Sequence, residues 1–196
     1  MLTQARAAIV STLFFTLLLG VGYPLLVTGI GYLAFPAQAS GSLIRDRDGQ
    51  VIGSRLLAQG FTRLEYLHPR PSAAGAGGYD ASGSSGSNLG PLNSTLLERV
   101  KMDADALRRA GATRVAADAV TTSGSGLDPH ISPENARSQA ARIAAARGAP
   151  VAAVRRVIDH HTALPVLGMI GQPTVNVLET NLALDAAFPR SHPDGQ

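Results

Sequence analysis

The most informative part of the chain is Thr121–Ala136, TTSGSGLDPHISPENA, because a looser copy of it lies upstream. Ser84–Pro91 reads SSGSNLGP and Thr122–Pro129 reads TSGSGLDP. Both fit the pattern (Ser/Thr)-Ser-Gly-Ser-x-Leu-x-Pro, 38 positions apart (84 to 122). Each copy leads into a segment that carries helix-start signals. Two loops of the same pattern predict a paired construction or a shared interaction surface.

These two loops supply the candidate residues for contact with a partner or with each other. Their glycines could also offer backbone amides to an anion at the start of the helix that begins near Pro133. A tight loop packed on its neighbour is the favoured interpretation. The candidate residues are Ser84, Gly86, Ser87, Asn88, Ser123, Gly124, Ser125, Gly126, Asp128 and His130.

The N-terminal part of the chain has no charged residue between Arg6 and Arg45. Its apolar part, about Ala7–Phe35, would be roughly 43 Å long as a helix, against a hydrocarbon core of ~30 Å. The sequence therefore predicts one membrane anchor helix in residues 1–35 and a soluble domain in residues 36–196. A cleaved signal peptide is the alternative, since Ala37-Gln38-Ala39 resembles a processing site, but signal peptides have shorter apolar regions. The flanking charges do not decide the orientation.

A stripe of small residues recurs every four positions along this helix, at Ala8, Thr12, Thr16 and Gly20. Small residues let helix backbones approach closely in lipid, where packing drives association. We therefore predict that Thr12, Thr16 and Gly20 contact another membrane helix. The alternative is an ordinary lipid-facing surface, since glycine is common in membrane helices generally.

The soluble part is predicted to be an α+β domain with a small sheet and about three helices. Asp48-Gly49 is typical of a two-residue hairpin turn. Thr95 and Glu98 form a capping-box pattern, and Ser132-Pro133-Glu134 indicates a second helix start. Predicted helices run from 95 to 111, from 132 to 148 and over about 150–161, and predicted strands cover 115–120 and 174–178.

The residues that could carry chemistry are few. Ser123, Ser125, Asp128 and His130 are the residue types of a serine triad, but they lie on one loop, whereas triad members usually converge from separate elements. His160-His161 lacks the further ligands of a metal site. Dispersed arginines and few aromatic residues argue against nucleic-acid binding. The sequence therefore predicts no catalytic site, no metal and no cofactor bound by the chain itself.

Several segments together resemble the C subunit of the Kdp-type potassium-transporting ATPase. These segments are Arg70–Ala73, Ser84–Leu89, Thr121–Pro133, Gln139 with Arg142, and Val175–Glu179 before Asn181-Leu182. They occur in the family's order, and the N-terminal anchor is in the family's place.

The resemblance implies a non-catalytic accessory subunit of a high-affinity, ATP-driven potassium uptake pump in the inner cell membrane. Such a subunit assists assembly and raises the ATP affinity of the catalytic subunit, as a catalytic chaperone does. Its partners would be the ion-translocating and ATP-hydrolysing subunits and membrane lipid, and ATP would act through the complex. The soluble domain would be extracytoplasmic, and Gln139 is the candidate for nucleotide contact.

Two other interpretations remain open from the residues alone. One is a membrane-anchored extracytoplasmic binding module, in which the twin loops bind a ligand or partner. The other is a membrane-anchored serine hydrolase acting through Ser123 or Ser125.

Overall fold

The computed structural model describes residues 2–189. The chain divides into two compact units, with the boundary between Ser54 and Arg55. The first unit contains helices α1 (Leu2–Leu17), α2 (Tyr23–Ala34) and α3 (Pro36–Ala39) and strands β1 (Leu43–Arg45) and β2 (Val51–Ser54).

One long helix dominates the first unit. Gln4–Ala34 forms 31 continuous helical residues, long and apolar enough to cross a membrane, and none of them is buried. A π-helical turn, Leu18–Gly22, joins α1 to α2. This turn lies just before Pro24, whose ring would clash with the carbonyl four residues earlier, at Gly20, in a regular α-helix. The predicted long helix is therefore confirmed, with its irregularity where the proline requires one.

Strands β1 and β2 form the predicted antiparallel hairpin, with Leu43 opposite Ser54. The turn differs from the prediction because only Gly49 has a positive φ, of 79°, and Asp48 does not. The Asp46 N–H donates to Gln50 O over 2.9 Å, so the hairpin closes around residues 47–49. Asp46 Oδ1 accepts from the N–H groups of Asp48 and Gln50. This is the three-residue loop with a left-handed glycine, not a two-residue turn.

The second unit is α+β, as predicted. Its sheet is antiparallel with β5 in the centre, so that Ile131 and Thr162 both lie opposite Val175. The strands are β3 (His130–Ile131), β4 (Thr162–Ala163) and β5 (Thr174–Asn176). The helices are α4 (Ser94–Arg109), α5 (Pro133–Ser138), α6 (Ala140–Arg147), α7 (Val151–His160) and α8 (Val177–Ala187).

The core of the second unit lies between the sheet and helices α5–α8. Its fully buried side chains include Leu67, Ile143, Ile158, Val175 and Leu184. Alanines on α5 and α6, namely Ala136, Ala140 and Ala144, are buried in this core. Leu67 comes from residues 55–93, which contain no helix or strand. This long irregular segment is therefore anchored in the core and is not a free linker.

An asparagine holds Leu67 in place. Asn181, on α8 and 1% exposed, accepts from the Leu67 N–H over 2.7 Å and donates to the Leu67 carbonyl over 3.0 Å. Both backbone groups of this strand-like residue are thus satisfied without a sheet partner, which a buried irregular segment requires.

The helix ends correct one prediction and support two. Asn93 caps α4, and its Oδ1 accepts from the N–H groups of Thr95 and Leu96, so the predicted capping box at Thr95 is wrong. Ser132 caps α5 as predicted, since its Oγ accepts from the Asn135 N–H over 3.1 Å. Gly148 ends α6 with a φ of 61°.

Three further element predictions need correction. Residues 115–120 do not form a strand, because Ala117–Ala119 is a 3₁₀ turn. The predicted helix from 132 to 148 is two helices, α5 and α6, that meet at Gln139. The strand predicted over 174–178 ends at Asn176, where α8 begins with Asn176 as its cap. Helix α8 itself was missed.

Candidate functional site

The two loops of the repeated pattern lie against each other. The Ser85 N–H and the Ser84 hydroxyl both donate to the Ser125 carbonyl, over 2.9 and 3.0 Å. A Cβ on Gly86 would lie 2.8 Å from the Gly124 carbonyl oxygen. Glycine is therefore needed at position 86 because the second loop's backbone occupies the space of a side chain.

Gly126 is the most confined residue of this pair. A Cβ there would lie 2.6 Å from the Ser85 carbonyl oxygen and 2.7 Å from the Ala74 Cβ, and its φ is 70°. Both the close approach and the positive φ exclude larger residues. The loops thus meet through their backbones at Gly86 and at Gly126, whereas a Cβ on Gly124 would have nothing within 4 Å.

A third segment completes the twin-loop cluster, which we define as Arg70–Asp80 together with the two loops. The Ser72 hydroxyl donates to the Gly126 carbonyl over 2.7 Å and accepts from the Ala74 and Tyr79 N–H groups. The Tyr79 hydroxyl donates to the Arg70 carbonyl over 2.8 Å. Arg70–Ala73 was noticed only through the family resemblance, and no local pattern in the sequence links it to the loops.

Asp128 forms an ion pair with Arg70 in the twin-loop cluster. The Arg70 guanidinium donates to Asp128 Oδ2 over 3.1 Å and to the Thr122 carbonyl over 3.3 Å, and the His130 N–H donates to Asp128 Oδ1 over 3.0 Å. The His130 side chain is the largest cause that lowers the pKa of Asp128, followed by the His130 amide and Arg70, while partial burial opposes them. His130 Nδ1 lies 3.6 Å from Asp128 Oδ1, farther than the 3.0 Å of the His130 N–H.

A shallow cavity of about 430 Å³ opens on this surface. Its walls are Leu56, Leu57, Ser84, Ser123, Gly124, Ser125, Leu127, Asp128 and Pro129. Ser123 is 4% exposed, and its hydroxyl has no hydrogen-bond partner among the described residues. Of the other candidates, Asn88 is exposed with a φ of 52°, and Ser87 is half-buried outside the wall. The structure therefore brings five of the ten candidate loop residues to one cavity wall, and Gly86, Ser87, Asn88, Gly126 and His130 lie outside that wall.

The serine-triad geometry is not formed by these residues. Ser125 Oγ accepts from the Leu127 N–H over 3.1 Å, and Ser123 Oγ has no partner within residues 2–189. Asp128 meets the backbone amide of His130 rather than orienting its ring toward a serine. The loop geometry gives no general base to either hydroxyl.

Gln139 lies elsewhere, between α5 and α6, in the wall of a second cavity of about 440 Å³. Its Oε1 accepts from the His68 N–H over 2.8 Å and from the Arg142 guanidinium over 2.6 Å. Its Nε2 donates to the His68 carbonyl over 3.1 Å and to Asn135 Oδ1 over 3.0 Å. All four hydrogen bonds that an amide can form are thus made within the chain.

The side chains around Gln139 are partly shielded from solvent. Burial lowers the pKa of His68, more than its bond to the Arg63 carbonyl raises it, and Arg142 lowers it further. Burial also lowers the pKa of Arg142, whose guanidinium donates to the Leu64 carbonyl over 2.6 Å. Gln139 and Arg142 therefore hold the segment from Leu64 to His68 against α5 and α6.

An acidic residue that sequence reasoning missed supports this wall. Asp118 accepts from the Ser132 N–H, the Ser132 hydroxyl and Asn135 Nδ2, over 2.7, 2.8 and 3.1 Å. Asn135 Oδ1 in turn accepts from Gln139 Nε2, so the hydrogen-bond network extends to Gln139. The strand predicted over 115–120 gave no reason to single out Asp118, which in the structure lies in the 3₁₀ turn Ala117–Ala119.

The candidate membrane-contact residues share one face of the long helix. Thr12, Thr16 and Gly20 line a shallow concavity together with Ser11, Phe15 and Leu19. The space above Gly20 is open, since the nearest side-chain atom, Thr16 Cγ2, would lie 3.9 Å from an added Cβ. Within residues 2–189, no group of three or more His, Asp or Glu side chains is placed to hold a metal ion.

Comparison with known proteins gives a consistent result over nearly the whole length. The family model described as KdpC, the c chain of the K⁺-transporting ATPase, matches residues 5–186. A relative from Caulobacter sp. strain K31 is 63% identical over 190 residues, which cover 96% of both chains. Relatives from Caulobacter vibrioides and Beijerinckia indica are 61% and 58% identical, covering 96% and 98% of both chains. All three are named potassium-transporting ATPase KdpC subunit.

Proposed function

Because the chain belongs to the KdpC family of K⁺-transporting ATPase c chains, we propose that it assists assembly of the pump and raises the ATP affinity of its catalytic subunit. It is a subunit of the Kdp potassium-transporting ATPase and not a catalytic enzyme by itself. Other Kdp subunits are its partners. The observation that carries the proposal is the match over residues 5–186, which includes both the long apolar helix and the twin-loop cluster.

The long helix is the proposed anchor in the inner cell membrane. Its support is a run of 31 helical residues with no buried position, whose backbone groups are bonded within the helix. Exposure of so many large apolar side chains to water would be unfavourable. Recovery of the intact N-terminus from washed membranes is the expected result, whereas a mature chain beginning after Ala39 would identify a cleaved signal peptide instead.

Contact with a neighbouring membrane helix is proposed for the face that holds Thr12, Thr16 and Gly20. Replacement of Thr16 and Gly20 by leucine fills the concavity and should reduce co-purification of the other subunits. A control pair, Gly29→Leu and Gly31→Leu, adds leucines at positions that do not line this concavity and where the space is open. Equal recovery of partners with both pairs would contradict the proposed contact.

Transmission through the membrane helices is the proposed route to the ATP site, with the soluble domain on the extracytoplasmic side. A domain on that side does not reach cytoplasmic ATP, so the effect is a coupling free energy, typically ~1–3 kcal/mol. Omission of the chain from a reconstituted pump should raise KM for ATP about 5- to 150-fold. If the remaining subunits still assemble and KM for ATP is unchanged, the proposed role in ATP affinity is wrong. If the only effect of omission is that the remaining subunits fail to assemble, the role in assembly alone remains.

Direct nucleotide contact by Gln139 is the alternative route. It requires exchange of at least one of the four hydrogen bonds that Gln139 makes within the chain, and its support is the cavity beside the amide. Gln139→Glu keeps the acceptor but loses the donor to His68 and Asn135. If Gln139 is chiefly a clamp, this variant loses about 1–3 kcal/mol of stability without nucleotide. A raised KM for ATP at unchanged stability would instead favour contact.

A binding module at the twin-loop cluster is the second candidate function. The specific observation is the buried, unpartnered Ser123 hydroxyl beside the 430 Å³ cavity. Purification from native membranes in mild detergent separates the two functions. A stoichiometric multi-span ATPase supports the subunit, and recovery of the chain alone supports the free-standing module.

A further inference from the structure

Residues 164–171, LPVLGMIG, form an apolar arm beyond the paired ends of β4 and β5. An isolated bridge between Val166 and Ile170 closes the arm into a tight loop. Leu167 and Met169 are both 81% exposed, and none of the eight side chains carries a charge, an N–H or an O–H. Single exposed apolar residues are ordinary, but a contiguous group of them marks an interaction site.

The tip of the apolar arm is conformationally strained. Leu167 and Gly168 both have positive φ, 55° and 76°, and the Met169 N–H donates to the Val166 carbonyl over 3.3 Å. Such a turn is normally built from Asn-Gly or Asp-Gly, because a side chain like leucine is disfavoured at positive φ. Since the exposed Leu167 side chain gains little packing within the chain, its presence there points to an external contact.

The backbone of the apolar arm is prepared for an apolar environment. The N–H groups of Val166, Gly168, Met169 and Ile170 all donate to carbonyls within the arm, over 2.9–3.3 Å, and Pro165 has no N–H. Unsatisfied backbone groups are what normally keep loops out of hydrocarbon. Four of the seven N–H groups of the arm are therefore already paired, which reduces the cost of removing water from it.

We propose that the apolar arm inserts into the lipid bilayer in which the chain is anchored. The hot spots of protein interfaces are rich in Trp, Tyr and Arg, none of which the arm contains. Leucine, isoleucine and valine instead partition favourably into a membrane. Residues 160–178 contain no Asp, Glu, Lys or Arg to oppose insertion.

Tethering keeps lipid within reach of the apolar arm. Only residues 35–54, which include α3 and the β1–β2 hairpin, separate the anchor helix from the second unit, so the tether is shorter than the roughly 70 Å of an extended chain. The bilayer is therefore present at a high effective concentration, so weak insertion is populated. This inference rests on the proposed membrane anchoring and is independent of the effect on ATP affinity.

The experiment uses the full chain in liposomes, and the absence of native cysteine allows one dye per molecule. A polarity-sensitive dye is attached at Met169→Cys or, as the control, at Leu92→Cys, where the native leucine is 92% exposed. Brominated phospholipid probes contact with the hydrocarbon, and iodide probes contact with water. The dye at 169 should be quenched by brominated lipid and shielded from iodide, and the dye at 92 should show the reverse.

The variant Leu167→Asp tests whether the apolar side chains of the arm cause its insertion. Its charge should lower the inserted population roughly a hundredfold, so that iodide reaches the dye at 169. Aspartate tolerates positive φ better than leucine, so the fold should be retained, as circular dichroism would check. Leu92→Asp is the matched substitution and should leave the dye at 169 unchanged.

Three results would overturn the proposal. The dye at 169 could be open to iodide in liposomes that carry the chain, which refutes insertion alone. It could become shielded only in the assembled ATPase without quenching by brominated lipid, which identifies a protein partner. The chain could fail to float with the liposomes, which refutes the anchoring as well.

Discussion

Individual glycines determine how closely the twin loops approach. At Gly86 and Gly126 the space of a Cβ is occupied by backbone atoms of the other loop. The two loops therefore approach through their main chains, and a side chain at either glycine would not fit. Gly86 belongs to the repeated Ser-Gly-Ser pattern, whereas Gly126 follows it and corresponds to Asn88 in the first copy.

Gly126→Ala should lower the free energy of unfolding by about 3 kcal/mol, since it combines positive φ with a clash against Ser85 and Ala74. Gly148→Ala is the matched control, because its φ is also positive, 61°, but nothing lies within 4 Å. It should lose only about 1 kcal/mol. Urea unfolding of the two variants measures the difference, and equal losses would show that the close approach can relax.

Asp128 should make stability depend on acid. Its pKa in the folded chain is lowered by His130 and Arg70, so its stabilising effect is complete above the unfolded pKa of about 3.9. The effect is lost as pH falls through the folded pKa. The stability gap between the native chain and Asp128→Asn should therefore be widest near neutral pH and close in acid. A gap that stays constant over the whole acid limb would contradict this.

Residue patterns anticipated part of the site. The repeat predicted that residues 84–91 and 122–129 form a pair or share an interaction surface, because two loops have the same pattern. It could not predict Ser72, Asp118 or Asn181, whose partners lie 14 to 114 positions away. Such distant hydrogen bonds depend on the fold and leave no periodic trace in the sequence.

Helix α4 shows how neighbouring signals compete at the level of an element. Asn93 and Thr95 both have capping side chains, and only Thr95 is followed by glutamate at the capping-box spacing. The structure uses Asn93, which gives the helix an earlier start. Asn93→Ala should therefore destabilise the chain by about 1 kcal/mol, while Thr95→Ala should be nearly neutral. Thermal unfolding compares them, and the reverse order would restore the predicted capping box.

Strand and helix signals overlap at β5 and α8. Residues 174–178 are rich in β-branched and apolar side chains, which predicts a strand. Asn176 and Glu179 have the spacing of a helix cap, however, and the Glu179 N–H donates to Asn176 Oδ1 over 3.1 Å. The sequence contained this signal, so the missed helix α8 follows from giving the strand preference too much weight.

For the whole molecule, the long apolar helix and the α+β class could be predicted because they follow from composition and periodicity. Whether residues 55–93 are ordered could not be predicted, since a Gly/Ser-rich segment is compatible with a linker or with an ordered loop. The structure favours order, because this segment supplies Leu67 to the core and Ser72 and Ser85 to the twin-loop cluster.

Hydrogen exchange of the full chain in detergent should reveal that order. The N–H groups of Tyr79, Asp80 and Ser85 donate to Ser72 Oγ, the Ala74 carbonyl and the Ser125 carbonyl. They should exchange slowly although they lie outside every helix and strand, because opening requires the loops to separate. In Gly126→Ala the same amides should exchange faster, and amides of α7 that open only by global unfolding should speed up by no more than the same factor. Rapid exchange in the native chain would mean that residues 55–93 behave as a linker, and the twin-loop cluster would then form only with a partner.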